Sequence, residues 1–233
     1  MENVTAMRQE QAADEARSFE QAFSVVRQFR GARRPASRAM ERCELCSSEL
    51  QPDHPHLVEL VSHQLVCACD ACAMLFDGRE KSKYKRVPRR IECLSDFALS
   101  DGQWESLCIP IELAFFVRSS IEGRTIALYP SPAGAVESSL TLGAWDTIAE
   151  CNPRVRRLQW DVEGLLVNRV GRPGTPGSAE YYIAPIDECY KLAGLIRCHW
   201  KGLSGGTEVW AEVSNFFDRL RAASVRDSEG RDA

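Results

Sequence analysis

Long apolar runs are missing from this chain: no stretch of its 233 residues approaches the roughly 20 apolar positions that a bilayer-spanning helix needs. An apolar signal segment is missing too, since the chain opens MENVTAMRQEQAADEARSFEQ, and PASRAMERCELC follows the pair Arg33-Arg34 where an export signal would need a hydrophobic run. The expectation is a cytoplasmic protein without a membrane span. Excess positive charge is also absent. A net charge of -4 excludes a surface that coats nucleic acid throughout, although it leaves room for a local basic patch. Histidine is scarce, at four residues, and GLSGG near the C-terminus lacks the lysine and spacing of a P-loop, so it reads as a tight turn.

Cysteine is plentiful, and it is concentrated. Five of the ten cysteines and three of the four histidines fall in CELCSSELQPDHPHLVELVSHQLVCACDACAMLF, Cys43 to Phe76. In a reducing compartment, cysteines paired at short spacing read as metal ligands or redox thiols rather than disulfides. Cys43-x2-Cys46 and Cys69-x2-Cys72 are two such pairs, and four thiolates are what zinc takes in a closed structural site. Between them Leu57, Glu59, Val61 and His63 alternate with Val58, Leu60 and Ser62, which predicts a hairpin returning the chain from one pair to the other. DACAMLF then predicts a helix start at the second pair, where the positive end of the helix dipole favours thiolates. Knuckle, hairpin and short helix together resemble a treble-clef zinc finger.

Iron is the rival metal. Rubredoxin-like electron carriers also use two CxxC knuckles, but commonly as C-x-x-C-G, whereas Ser47 and Ala73 follow the pairs here. A thioredoxin-like role is disfavoured because neither pair sits in a βαβ context. Cys67 and His63 are candidate alternative ligands or hydrogen-bonding supports for the ligands, and His54 and His56 are further donors that the simpler reading leaves on the hairpin surface.

Composition divides the chain into residues 1–40, an amphipathic helix and linker; 41–78, the metal-binding finger; 79–93, a basic connector; 94–222, an α+β domain; and 223–233, a disordered tail. In the first part Phe19, Ala22, Phe23, Val26 and Phe29 form one apolar stripe suited to the chain's own second domain or to a partner protein. The connector REKSKYKRVPRR, residues 79–90, carries Arg79, Lys81, Lys83, Lys85, Arg86, Arg89 and Arg90 against one glutamate, a local +6. It is a solvated connector, a strip for an anionic partner surface, or a phosphate grip for nucleic acid. In the large domain the expected fold is a mainly antiparallel sheet with packed helices. Ile109, Ile111, Leu113, Phe115 and Val117 give one buried strand face, with Pro110 pushing toward a sheet edge or strand start, and RTIALYP pairs with it through a turn at IEGRT. LGAWDTIAE reads as a helix, DVEGLLVNRV as helix or strand, and EYYIAPI as a strand. Asp187 is expected to cap ECYKLAGLIRCHW, and the last helix, starting near Thr207, to bury Trp210, Val213, Phe217 and Leu220. GRPGTPGS, residues 171–178, reads as a surface loop. No convincing catalytic set emerges: His199 is the domain's single histidine, and Asp161, Glu163, Asp187 and Glu188 form an acid pair only if the fold assembles them.

CELC with CACDACAMLF, ALYPSPAGAVES, DVEGLLVNR, PIDECYKLAGLIR and WKGLSGG followed by VW resemble an uncharacterised bacterial domain family associated with nickel-iron hydrogenase gene clusters. The resemblance covers roughly residues 43–220. It implies an accessory, non-enzymatic role in hydrogenase assembly, maturation or stabilisation, with a hydrogenase subunit or maturation factor as protein partner.

Overall fold

β-branched and aromatic residues in short alternating runs, punctuated by glycine and proline, favour pleated sheet over long helices, and two sheets form. The computed structural model describes residues 41–77, 82–138, 142–170, 179–202 and 204–226. The amphipathic stripe predicted before residue 40, the loop at 171–178 and residues 227–233 lie outside the described residues.

Near the N-terminal end of this part, β1 (His56–Glu59) pairs antiparallel with β2 (Leu65–Cys67) and with β3 (Tyr84–Arg86), and α1 (Asp70–Phe76) follows β2. The predicted hairpin and short helix are therefore present. The basic segment also supplies a strand, because β3 completes this sheet in the order β2-β1-β3.

The larger sheet has seven strands, β4 (Glu92–Cys93), β5 (Leu113–Ser119), β6 (Arg124–Ser131), β7 (Gly134–Ser138), β8 (Glu163–Asn168), β9 (Glu180–Pro185) and β10 (Val225–Arg226), in the order β10-β4-β9-β8-β5-β6-β7. Every pairing is antiparallel except that of β10 with β4. Gly123, at φ 65, makes the turn between β5 and β6. Pro110 precedes β5 and so costs the ladder nothing.

Helices cover both faces of this sheet. Against one face pack α4 (Ile186–His199) and α5 (Gly206–Ala223), burying Leu192, Ile196, Val213 and Phe217 with Leu113, Phe115 and Val117 of β5. Against the other lie α2 (Asp101–Ser106) and α3 (Leu142–Cys151), burying Trp104, Trp145 and Ile148 with Ala114 and Phe116. Only one buried face was expected for β5. Its central position puts alternate residues into two cores, so both are buried. α2 starts with a full capping box between Ser100 and Gln103.

Two predicted details change. Asp187 does not cap α4: the helix begins at Ile186 after Pro185, and the Asp187 carboxylate accepts from His56 Nδ1 at 2.7 Å and from the Glu188 amide at 2.9 Å. Trp210 is 40% exposed, because the stripe that faces the sheet runs through Val209, Val213, Phe216 and Leu220, about 100° around the helix from it.

The three-stranded sheet is joined to the larger domain through β1. Successive side chains on a strand point to opposite faces. Leu57 enters a small core with Cys43, Leu50, Ala68 and Ala73, while its neighbour Val58, together with Val87, joins the core beneath α4 and α5. Lys85 Nζ adds a 2.6 Å hydrogen bond to the Trp160 carbonyl. From Glu41 onward the chain forms one unit.

Candidate metal centre

A CxxC pair presents two sulfurs to one point when the backbone between them folds into a turn whose amides face inward. Around the first pair, Arg42 and Glu49 form a bridge, the Cys43 amide bonds the Ser48 carbonyl at 2.8 Å, and the Ser47 amide returns to the Cys43 carbonyl at 2.7 Å. This turn takes Ser47 to φ 65, the left-handed region that glycine occupies in C-x-x-C-G knuckles. The conformation is thus reached without the glycine. The second pair stands at the start of α1, where Cys69 is the N-cap and its Sγ accepts from the Cys72 amide at 3.5 Å. Reciprocal bonds between Glu44 and Cys67, amide to carbonyl at 2.9 Å and amide to carboxylate at 2.7 Å, tie the first knuckle to β2.

These elements bring Cys43, Cys46, Cys69 and Cys72 together, with one Sγ of each inside a set spanning no more than 4.8 Å. Cys46 Sγ and Cys69 Sγ are 3.7 Å apart. Four sulfurs about 2.3 Å from a tetrahedral ion stand roughly 3.8 Å from each other, so the donor set and its spacing fit a metal ion. Cys43 is buried while Cys46 is exposed, so the site sits at the surface with its inner edge sealed.

The electrostatics suit a cation as well. Hydrogen bonding from the Cys72 backbone, with the Ser48 hydroxyl second, brings the Cys69 thiol down to about 6. Burial raises the Cys43 thiol, but backbone hydrogen bonds from Cys69, Cys46 and Leu45 outweigh it and the net shift is downward. Burial, followed by the neighbouring sulfurs, pushes Cys72 up to about 12. Thiolates crowded this closely repel one another, and the charge of a divalent ion removes that opposition.

Cys67 does not join this set. Its Sγ lies with His54 and His56 in a second group, also within 4.8 Å, while His63 belongs to neither group and holds a tight turn at φ 55. Burial, and then the Glu44 and Glu41 carboxylates, raise the Cys67 thiol. The hydrogen bond that His56 donates to the Asp187 carboxylate holds the imidazole above its usual range against the opposing effect of burial. Asp187 lies 131 residues from His56, so only the tertiary fold shows this contact.

The basic segment spends its charge locally. Lys83 pairs with Glu59, Arg89 with Asp53 at 2.7 Å and Arg90 with Glu92 at 2.8 Å, while Lys85 is committed to Trp160. Arg86 lies on β3, and Arg79 and Lys81 lie outside the described residues. The candidate acids of the larger domain are engaged too: Asp161 accepts from the Ser120 amide at 2.8 Å, Glu163 from the Gln159 amide at 2.9 Å, and Glu188 pairs with Lys191 at 3.0 Å. His199 contacts Glu208 at the surface. Among the described residues no helix is long and apolar enough to cross a membrane.

Compared with known proteins, residues 42–224 match the model of the Family of unknown function (DUF5947). No curated protein and no solved structure matches the chain.

Proposed function

The chain belongs to the DUF5947 family, whose function is unknown, and we propose that it is a zinc-stabilised accessory protein that acts through protein contacts, without catalysing a reaction, in the assembly, maturation or stabilisation of a nickel-iron hydrogenase. The observation that carries the metal half of this reading is the convergence of four thiols from two distant pairs within 4.8 Å. The donor set supports zinc: four thiolates with no open position suit a structural site, which would give the ion a building role. The partner half is supported by apolar surface on the finger, where Val61, Met74 and Leu75 are 74%, 71% and 51% exposed. The hydrogenase as partner rests on the resemblance of the sequence motifs.

Elemental analysis of the purified full chain tests the metal, with zinc that is lost on Cys46→Ser as the expected result. Co-purification with hydrogenase subunits tests the partner, and normal hydrogenase maturation in a strain lacking the protein would overturn that role. One observation favours a second reading. Ser47 reproduces the knuckle turn that rubredoxin-like iron sites use, so the same sulfurs would suit an electron carrier. Colour separates the two, because an iron-thiolate protein is red and a zinc one colourless.

A further inference from the structure

On β1 and β2, His56 and Cys67 are directly opposite partners, and side chains at such positions stand side by side on one face of the sheet. His54 lies two residues before His56, and the two rings meet edge to face with centroids 4.9 Å apart. One ring nitrogen from each histidine and Cys67 Sγ all fall within 4.8 Å.

The hydrogen bonds fix which nitrogens are available. His54 Nδ1 is 2.9 Å from the Gln51 carbonyl. A carbonyl only accepts, so Nδ1 carries the hydrogen and Nε2 is left with its lone pair. That Nε2 is buried without a hydrogen-bond partner, on a side chain only 7% exposed. His56 shows the same arrangement, with Nδ1 held at 2.7 Å by the Asp187 carboxylate and Nε2 left over. A carbonyl or carboxylate on Nδ1 that leaves Nε2 to bind is how metal-ligating histidines are oriented. Negative charge gathers nearby, since Glu41 Oε2 lies 3.7 Å from His54 Nδ1 and Glu44 accepts from the Cys67 amide.

We propose that His54 Nε2, His56 Nε2 and Cys67 Sγ form a second metal site, separate from the four-cysteine centre, which takes a borderline divalent transition-metal ion such as zinc and leaves one coordination position open. Two imidazoles and one thiolate suit zinc or a neighbouring late transition metal and not calcium or magnesium, which require oxygen. Three protein ligands distinguish the site from a closed structural one. Binding displaces the Cys67 thiol proton and any proton on His56 Nε2 into solvent, and brings the three donors to normal metal-ligand distances. Because Asp187 belongs to α4, the ion also fastens the finger to the larger domain. This site stands independently of the accessory role proposed above.

Cobalt(II) titration of the metal-free full chain, followed by its visible and near-ultraviolet absorption, tests the site. The expected result is two equivalents per chain in the wild type and one in either His54→Ala or Cys67→Ser, with the intense four-thiolate absorption retained in both. Asp187→Asn keeps two equivalents, with the second bound roughly 10–100-fold more weakly. Cys46→Ser removes the four-thiolate absorption and, by opening β1 and β2, the second ion with it, so the second site is read from His54→Ala and Cys67→Ser, in which the four-thiolate centre persists. A single equivalent in the wild type that survives Cys67→Ser would overturn the second site. Should His54→Ala fail to fold, Cys67→Ser, which exchanges one atom, decides the matter alone.

Discussion

The finger and the sheet domain share one interface but hold themselves together by different means. The sheet domain buries two extensive clusters around β5, whereas the finger's own core contains Cys43, Leu50, Leu57, Ala68 and Ala73, with other hydrophobics only partly buried against it. A core of five small or medium side chains cannot offset the cost of ordering some forty residues at about 1–2 kcal/mol of backbone entropy each. The finger must take stability from elsewhere, from the metal set at one edge and from Val58 and Val87 on the domain at the other. Loss of the metal should therefore separate the two regions. With chelator, or in Cys43→Ser, binding free energy on the order of 10 kcal/mol is withdrawn from the finger alone. Hydrogen exchange should show rapid opening of β1, β2 and α1, with β5, β6 and β8 still protected. Equal loss of protection in both regions would show that the difference in their cores is immaterial.

The converse perturbation belongs in the sheet. Phe116 is 1% exposed and stacks on Trp145 with ring centroids 4.8 Å apart. Phe116→Ala should lower the stability of the domain by about 3–5 kcal/mol in denaturant unfolding. Metal content per chain should be unchanged while the protein remains folded. A variant that lost its metal in step with its sheet would mean that the finger has no independent hold on the ion.

A milder comparison uses backbone conformation, because each region contains turns in the left-handed region. The finger fills one with Ser47 at φ 65, and the sheet domain fills one with Gly123, also at φ 65. An L-residue in that region costs roughly 1–2 kcal/mol, partly offset by the greater freedom a glycine has when unfolded. Ser47→Gly should then stabilise the metal-bound finger by about 0.5–1 kcal/mol, while Gly123→Ala destabilises the sheet domain by about 1 kcal/mol. Thermal unfolding of the two variants should move in opposite directions. A loss on Ser47→Gly would mean that the serine contributes something other than its backbone angle.

Legibility in the sequence follows the same division. Period and punctuation made the local elements readable: the two CxxC pairs, the hairpin between them, the helix at the second pair, and the β5–β6 hairpin turning at Gly123 are all present in the structure. Features set by distant parts of the chain were not readable in that way. Asp187 has the signature of a helix cap, but residue 56 takes its carboxylate. Trp210 fits an apolar stripe whose exact rotation is fixed by the helix's neighbours. REKSKYKRVPRR reads as a charged connector, yet Tyr84–Arg86 within it complete a sheet with β1. Cys67 was legible as an extra thiol. That it belongs with His54 and His56 depends on register, which the strand sequences alone leave open.

Smallest of the expected effects is one of pH, and it tests whether the surface of the sheet domain matters at all beside the finger. Glu208, in the first turn of α5, pairs with Lys201 and lies 3.3 Å from His199 Nδ1. The Lys201 hydrogen bond, and then His199, hold its carboxyl below the ordinary value of 4.5. A carboxylate with a lower pKa in the folded than in the unfolded chain stabilises the fold at pH above its unfolded value, and that contribution disappears as the pH falls through the folded value. Glu208→Gln should therefore slightly lower the melting temperature at neutral pH and flatten its decline over the acid side of pH 4.5. The group is exposed at the surface, so salt should shrink the difference. The finger offers the control, since Cys46→Ser should retain the wild-type dependence for sheet-domain unfolding over the same acid range. If Glu208→Gln instead melted as the wild type does at neutral pH and low salt, the Lys201 pair would be a contact without consequence, and the stability of this region would rest on its two buried clusters alone.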